Sequence, residues 1–358
     1  IISFFAFHEL ALIPTFVMIG LYGRGDRRTT AWRATLYLGL ASMVLLAALL
    51  MIGTQAGFTF SGLKDFMASG RELAHAELIG ALLIAGFGTL ISLFPFHSWA
   101  APAYASAPAP VAMMHAGVLK KFGLYGLFMF QPLMETGFLP WTNILLVLLV
   151  CNVIWVGYVT VNQKRLDLLL GNSSVMHMGY IFLAFAALVV SGSAEANPWA
   201  LKGAALLMLA HGLTIALLFL LCGQIEKQTG TLEINSLGGL STRLPRMAFV
   251  FGLAGMASIG LPGLANFPGE FMVFFSGFAG FSNGFGPVQI ATILCLWGLV
   301  IGAVYMLRAY RNIFQGDLSK ASAYATGLQP SERAANCFLV IALAVFGFFP
   351  TLVLQFFS

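Results

Sequence analysis

Apolar runs of bilayer length alternate with short polar segments along almost the whole chain. Run length predicts about ten helical spans, at 1–22, 33–53, 77–96, 108–130, 139–160, 173–191, 200–222, 247–278, 288–310 and 335–356. The hydrocarbon core offers backbone groups no water, so a spanning segment must satisfy them itself, as a helix or a closed barrel. A barrel would alternate apolar and polar residues in strand-length pieces, and that alternation is absent. The expected fold class is therefore all-α and integral to a membrane, a polytopic helix bundle. The seventh span follows Asn197-Pro198-Trp199, a turn and an interfacial aromatic.

Two spans break the pattern. Leu93-Phe94-Pro95-Phe96-His97-Ser98-Trp99 leads into Ala101-Pro102 and Ala107-Pro108-Ala109-Pro110. Gly260-Leu261-Pro262-Gly263-Leu264-Ala265-Asn266-Phe267-Pro268-Gly269-Glu270 sits where an intact helix would need helix formers. Proline removes a donor and clashes with the preceding turn. Backbone freed in this way within a membrane must be buried in protein or line a cavity. Interrupted helices in two places resemble transporter architecture, where they mark an ion path.

Composition agrees. The chain is 59% hydrophobic and 9% charged, against about 25% charged in soluble domains, and its mean hydropathy is +0.90. The net charge of +5 sits in loops, where it orients the chain and does not imply nucleic-acid binding. Arg24, Arg27, Arg28 and Arg33, then Lys164 and Arg165, Arg243 and Arg246, and Arg308, Arg311, Lys320 and Arg333 fall in alternate loops, predicting one basic, cytoplasmic side. The opposite loops carry Glu135, Glu195 or, around 282–286, no charge; 53–77 is mixed. Cys151, Cys222, Cys295 and Cys337 lie in separate apolar runs without metal or disulfide spacing and are expected to be core hydrophobes. No metal site, phosphate loop, nucleophile elbow or Cys-x-x-Cys is found, so any redox chemistry is expected on other chains.

Against this background a few ionisable residues stand out. Lys121 lies mid-run, and an ammonium at the centre of a spanning helix costs roughly 2.5–3.5 kcal/mol on insertion scales. Its neighbour Lys120 should point about 100° away, so one of the two is expected to face the interior and the other to snorkel. His115 precedes Lys121 by six residues, on a different face, and Lys120 by five. Glu9, after His8, and Glu270 are intramembrane carboxylates; Glu270 would also suit the N-terminus of a half-helix as a cap. His97, His177 and His211 sit in or beside spans. Each alone reads equally as a hydrogen-bonded core residue, but imidazole also relays protons near neutrality. Lys202 reads as interfacial.

Motifs in order along the chain carry a resemblance. They are His8-Glu9-Leu10-Ala11-Leu12-Ile13-Pro14-Thr15, Phe94-Pro95-Phe96-His97-Ser98-Trp99 with Ala107-Pro108, and Ala116-Gly117-Val118-Leu119-Lys120-Lys121-Phe122-Gly123-Leu124-Tyr125-Gly126. Then come Ser173-Ser174-Val175-Met176-His177-Met178-Gly179, Met208-Leu209-Ala210-His211-Gly212-Leu213, and Gly260-Leu261-Pro262-Gly263 with Phe267-Pro268-Gly269-Glu270-Phe271. Together they resemble the antiporter-like membrane subunits of respiratory complex I (NADH:quinone oxidoreductase). The type is subunit M, the bacterial counterpart of mitochondrial subunit 4.

The resemblance implies the antiporter-like inverted-repeat fold over 1–358 as one transmembrane domain, with 77–130 and 247–278 as its interrupted helix units. The chain opens inside an apolar run without an initiator Met, and is expected to lack the first four of fourteen helices. The implied proton relay is Glu9, Lys121, His177, His211 and Glu270, with His8, His97, His115 and Lys120 as auxiliaries. Implied partners are other membrane-arm subunits, the lipid bilayer of a bacterial inner membrane, and protons. NADH, FMN, iron–sulfur clusters and quinone would belong to other subunits, with no cofactor in this chain.

The sequence also departs from the family. Leu90 stands where the family has a lysine that pairs with the glutamate matching Glu9, and Tyr104 where it has a second histidine. His8, His115 or Lys120 are the candidate substitutes. Arg165 and Asp167 look like a charge-swapped family pair. Three functions stay open: a proton-translocating subunit of an NADH:quinone oxidoreductase, a subunit of an Mrp-type antiporter or membrane-bound hydrogenase, and a non-pumping spacer.

Overall fold

The computed structural model describes residues 1–279 and 284–357. Its helices are α1 (Ile2–Tyr22), α2 (Arg27–Ala56), α3 (Phe60–Ala68), α4 (Ala76–Ile91), α5 (Ala100–Ser106), α6 (Ala109–Met114), α7 (Lys120–Phe130) and α8 (Glu135–Phe138). They continue as α9 (Thr142–Val161), α10 (Leu166–Ser191), α11 (Pro198–Thr229), α12 (Pro245–Ile259), α13 (Asn266–Gly277), α14 (Pro287–Phe314), α15 (Pro330–Phe348) and α16 (Thr351–Leu354). A π-helical turn, His115–Leu119, joins α6 to α7. Among the described residues no strand forms; Arg165 and Glu233 make an isolated bridge.

Among the described residues, seven helices are long and apolar enough to cross a membrane. The other three expected spans are the irregular ones: α4 with a break and α5, α6 with the π turn and α7, and α12 with a break and α13. The last expected span, 335–356, instead starts at Pro330 and stops at Phe348, ahead of Pro350, which cannot continue a helix. Of the charge-free loop expected at 282–286, residues 282 and 283 lie outside the described residues.

Both interrupted helices end the same way. At α4, Ser92 is left-handed (φ 70°), its N–H donates to the Thr89 carbonyl, and Leu93 N–H donates to Gly88. At α12, Gly260 is left-handed (φ 79°), its N–H donates to Ala257, and Leu261 N–H donates to Met256. This is the Schellman pattern, which satisfies last-turn carbonyls within the helix. The two units run in opposite directions. The start of α4 lies near Trp141, which donates to the Glu77 carbonyl, and α5 ends at Ser106, which binds the Arg24 carbonyl. α12 starts in the basic segment after Arg243, and α13 ends beside Asn197.

The basic loops gather at one end. Arg24 binds Glu226 and the Ala107 carbonyl, and Arg308 binds the Gln163 carbonyl. Ile234 N–H donates to the Lys164 carbonyl, Gly239 N–H to Gln315, and Lys227 pairs with Glu332. α10 is buried along nearly its whole length, whereas α1, α2, α14 and α15 expose Leu, Ile and Phe, as a lipid solvent permits. The cysteine expectation holds only in part. Cys222 and Cys295 are buried, but Cys151 is half-buried and Cys337 exposed, because α9 and α15 turn those positions outwards.

Candidate functional site

The two lysines do not divide between interior and interface as helical spacing predicts. Lys120 is 2% exposed and Lys121 9%. The π turn is the reason. Lys120 N–H donates to the His115 carbonyl, one residue further back than in an α-helix. The carbonyl of Ala116 is passed over by that bond, and Lys121 Nζ donates to it. Lys120 Nζ reaches the other way, 3.4 Å from both the carbonyl and the hydroxyl of Ser174 on α10, and 5.6 Å from the centre of the Tyr104 ring. Among the described residues neither ammonium forms an ion pair.

The chain of polar groups continues through the histidines. Ser174 Oγ is 3.1 Å from His211 Nε2. The His211 and His177 rings stack with centroids 5.1 Å apart. His177 Nδ1 is 2.8 Å from the Ser173 carbonyl and Nε2 is 2.9 Å from the Ser258 carbonyl. A neutral imidazole donates to only one of these acceptors; an imidazolium donates to both. The Ser258 carbonyl lies in the last turn of α12, so the break in that helix presents His177 with a partner. Two protonated rings at 5.1 Å would repel by about 3 kcal/mol at an effective dielectric of about 20. Protonation of both rings together is therefore disfavoured.

Glu270 is 3% exposed on the first turns of α13, the second half of the interrupted unit. One carboxylate oxygen lies against Gly260, and among the described residues the other has no hydrogen-bond partner. Tyr180 and Tyr305 lie within electrostatic range of it, and the Tyr180 ring contacts His177 at 5.6 Å.

The other end of the expected series is looser. His8 Nδ1 is 3.3 Å from Glu9 Oε1, but the Glu9 side chain is 34% exposed and so less enclosed than its sequence surroundings suggested. Leu90 is 4% exposed and shares a cavity with His8, His115 and Lys120. His115 and Lys120 thus meet, since i→i−5 bonding brings residues five apart onto one face. His97 stacks on Phe94 at 5.4 Å and has no described bond to the other histidines. Arg165 holds Asp167 through two bonds, of 3.2 and 2.7 Å, and the carboxylate raises the already high proton affinity of the guanidinium.

Several polar residues of this constellation were not singled out by sequence. Ser174 links Lys120 to His211, and Ser173 binds Tyr305 at 2.7 Å. Asn152 on α9 accepts from Phe94 N–H at 2.5 Å and donates to the carbonyls of Ser92 and Val175, both at 3.1 Å. An asparagine inside Leu148-Leu149-Val150-Cys151-Asn152-Val153-Ile154 was a readable signal, because unpaired amides are expensive in lipid. Serines gave none, since a serine satisfies itself on its own helix.

Known proteins are similar to this chain in sequence and fold. Residues 1–295 match the family model described as NADH:quinone oxidoreductase/Mrp antiporter, transmembrane. NAD(P)H-quinone oxidoreductase chain 4 1 of Synechococcus elongatus is 35% identical over 98% of the chain, and chain 4 2 of Microcystis aeruginosa is 34% identical over 94%. The chain spans 65% and 60% of the lengths of these two relatives. A chain of respiratory complex I from Thermus thermophilus with bound NADH superposes with TM-score 0.89 at 28% identity, covering all of this chain and 73% of that one. A chain of the Mrp complex from Dietzia sp. DQ12-45-1b superposes with TM-score 0.84 at 20% identity, covering 99% and 72%, and so shares the fold. With the family matched over most of its length and two oppositely directed interrupted helices around a buried lysine–histidine–glutamate series, this chain belongs to the NADH:quinone oxidoreductase/Mrp antiporter transmembrane family.

Proposed function

We propose that this protein is a proton-translocating membrane-arm subunit of an NADH:quinone oxidoreductase in a bacterial membrane. The observation that carries it is the buried polar series from Lys120, beside the buried Lys121, through Ser174, His211 and His177 to the α12 break, near which lies Glu270. Such groups are too costly in a bilayer to serve as filling, and intramembrane ionisable residues default to a functional role. The reading takes residues 1–358 as one antiporter-like domain, with 77–130 and 247–278 as its interrupted units. NADH, FMN, iron–sulfur clusters and quinone belong to partner subunits.

The mechanism is electrostatic. Protonating a buried lysine places a cation near the histidine pair, which already disfavours a second proton. The imidazolium then gives its proton towards Glu270, buried on α13 beyond the α12 break. When the lysine is neutral again, the pair can refill. Ser174 carries the proton in single-file fashion, because its hydroxyl both accepts and donates.

The test is proton translocation by the assembled complex in vesicles, with Lys121→Ala and Glu270→Ala. Each should lower the protons moved per NADH oxidised. Parent-like pumping and turnover in both would rule the relay out. Leu90 favours a second reading, a non-pumping spacer, and parent-like behaviour of both variants is its expected result.

A further inference from the structure

The cavity shared by His8, Leu90, His115 and Lys120 has a volume of about 20 Å³. That is room for one water. The cavity lies between two polar groups that are otherwise not hydrogen-bonded to each other among the described residues: the His8–Glu9 pair on α1 and the Ser174–His211 link between α10 and α11. Lys120 touches both, lining the cavity and placing its ammonium 3.4 Å from the Ser174 hydroxyl. The lining is mostly apolar, but His8, His115 and Lys120 offer a water its polar partners. Among the described residues His115 Nδ1 and the Tyr104 hydroxyl are buried without a hydrogen bond, and the two rings lie 5.4 Å apart. Lys121, by contrast, turns its ammonium back onto Ala116 in its own helix.

We propose that Lys120 carries protons between the His8–Glu9 pair and the Ser174–His211–His177 series, across the cavity walled by Leu90. The proposal rests on the proton-translocating reading above and assigns its entry step. The His8–Glu9 pair gives a proton through one water to the Lys120 amine, forming the ammonium. The ammonium returns a proton to Ser174 Oγ as that hydroxyl passes its own to His211 Nε2. The amine is then neutral, His211 is an imidazolium, and one proton has moved. Leu90 contributes an apolar wall, so no second cation competes for the cavity. The π turn brings His115 to the same cavity as Lys120; a regular helix would hold the two about 140° apart.

The experiment measures protons moved per NADH oxidised by the assembled complex in vesicles carrying Lys120→Met, Lys120→Arg or Leu90→Lys/Lys120→Met. Lys120→Met should fall to the yield of Lys121→Ala. Lys120→Arg should fall equally, because a guanidinium keeps its charge but does not release a proton. The double variant, with an amine returned to the same cavity, should recover. Parent-like yield in Lys120→Met, or rescue by Lys120→Arg, overturns the proposal; the latter would make Lys120 a fixed charge. If Lys120→Met does not assemble, Lys120→Gln is read in its place. Loss in Lys121→Ala and Glu270→Ala without loss in Lys120→Met sinks this step alone. No loss in any of them sinks the translocating function as well.

Discussion

Single residues set the geometry of the two polar ends. Gly260 meets two demands at once: a left-handed φ of 79°, and room for the Glu270 carboxylate where a Cβ would otherwise stand. Gly263 has the first demand without the second, with φ 90° and a Phe348 ring atom 3.2 Å from its would-be Cβ. Alanine in this conformation costs about 1–2 kcal/mol at either site. Gly260→Ala should therefore lower proton yield, because it must also displace Glu270. Gly263→Ala should lower thermal stability by a similar amount with yield retained. Equal yields in the two variants, measured in vesicles, would mean that the Gly260–Glu270 contact does not matter to transport.

Elements that stop inside a membrane need outside donors and acceptors, and here one side chain supplies much of what α4 needs. Asn152 meets Phe94 N–H and the Ser92 carbonyl of the break while also binding Val175 on α10. Trp99 Nε1 adds a bond of 3.0 Å to the Thr89 carbonyl. Asn152→Leu fits the apolar surroundings but orphans the Phe94 donor, at about 1–3 kcal/mol. Thermal unfolding of the purified complex should show that loss, and it should exceed the effect of Asn162→Leu, since the Asn162 side chain binds within its own helix, at the Tyr158 carbonyl. The same logic explains the π turn. It leaves the Ala116 carbonyl free for the Lys121 ammonium and brings His115 and Lys120 to one cavity.

At the scale of the whole molecule, polar ties at the basic end hold helices far apart in sequence. Arg24 on the α1–α2 loop binds Glu226 of α11, yet both side chains are about one-third exposed, so the pair adds little, about 0–1 kcal/mol. The buried amide pair is stronger. Gln224 Nε2 donates to Asn336 Oδ1 at 3.1 Å and Asn336 Nδ2 donates to Gln224 Oε1 at 3.0 Å, joining α11 to α15. Gln224→Leu leaves Asn336 unsatisfied and should cost about 1–3 kcal/mol, whereas Gln224→Leu/Asn336→Leu should be close to neutral. Thermal unfolding of the four forms gives the cycle. A double variant as unstable as the sum of the singles would show the two amides acting independently.

Hydropathy located about ten apolar helical regions, and the prolines within them the two interruptions, because lipid imposes a length and a composition on any helix that crosses it. Charge in the loops located the basic end for the same local reason. Lys121, His177, His211 and Glu270 were visible as costly residues in apolar runs. Their order in space was not, nor was the choice between the two lysines. Lys120 reaches Ser174, 54 residues away, and the chain meets there only after α7, α10 and α11 have packed. The π turn leaves no mark in hydrophobic period, since all its neighbours are apolar or buried. Leu90 reads along the chain as a missing lysine. In the fold it is the wall of a cavity that already has one, because tertiary packing brings Lys120 to the place that sequence position alone would have left empty.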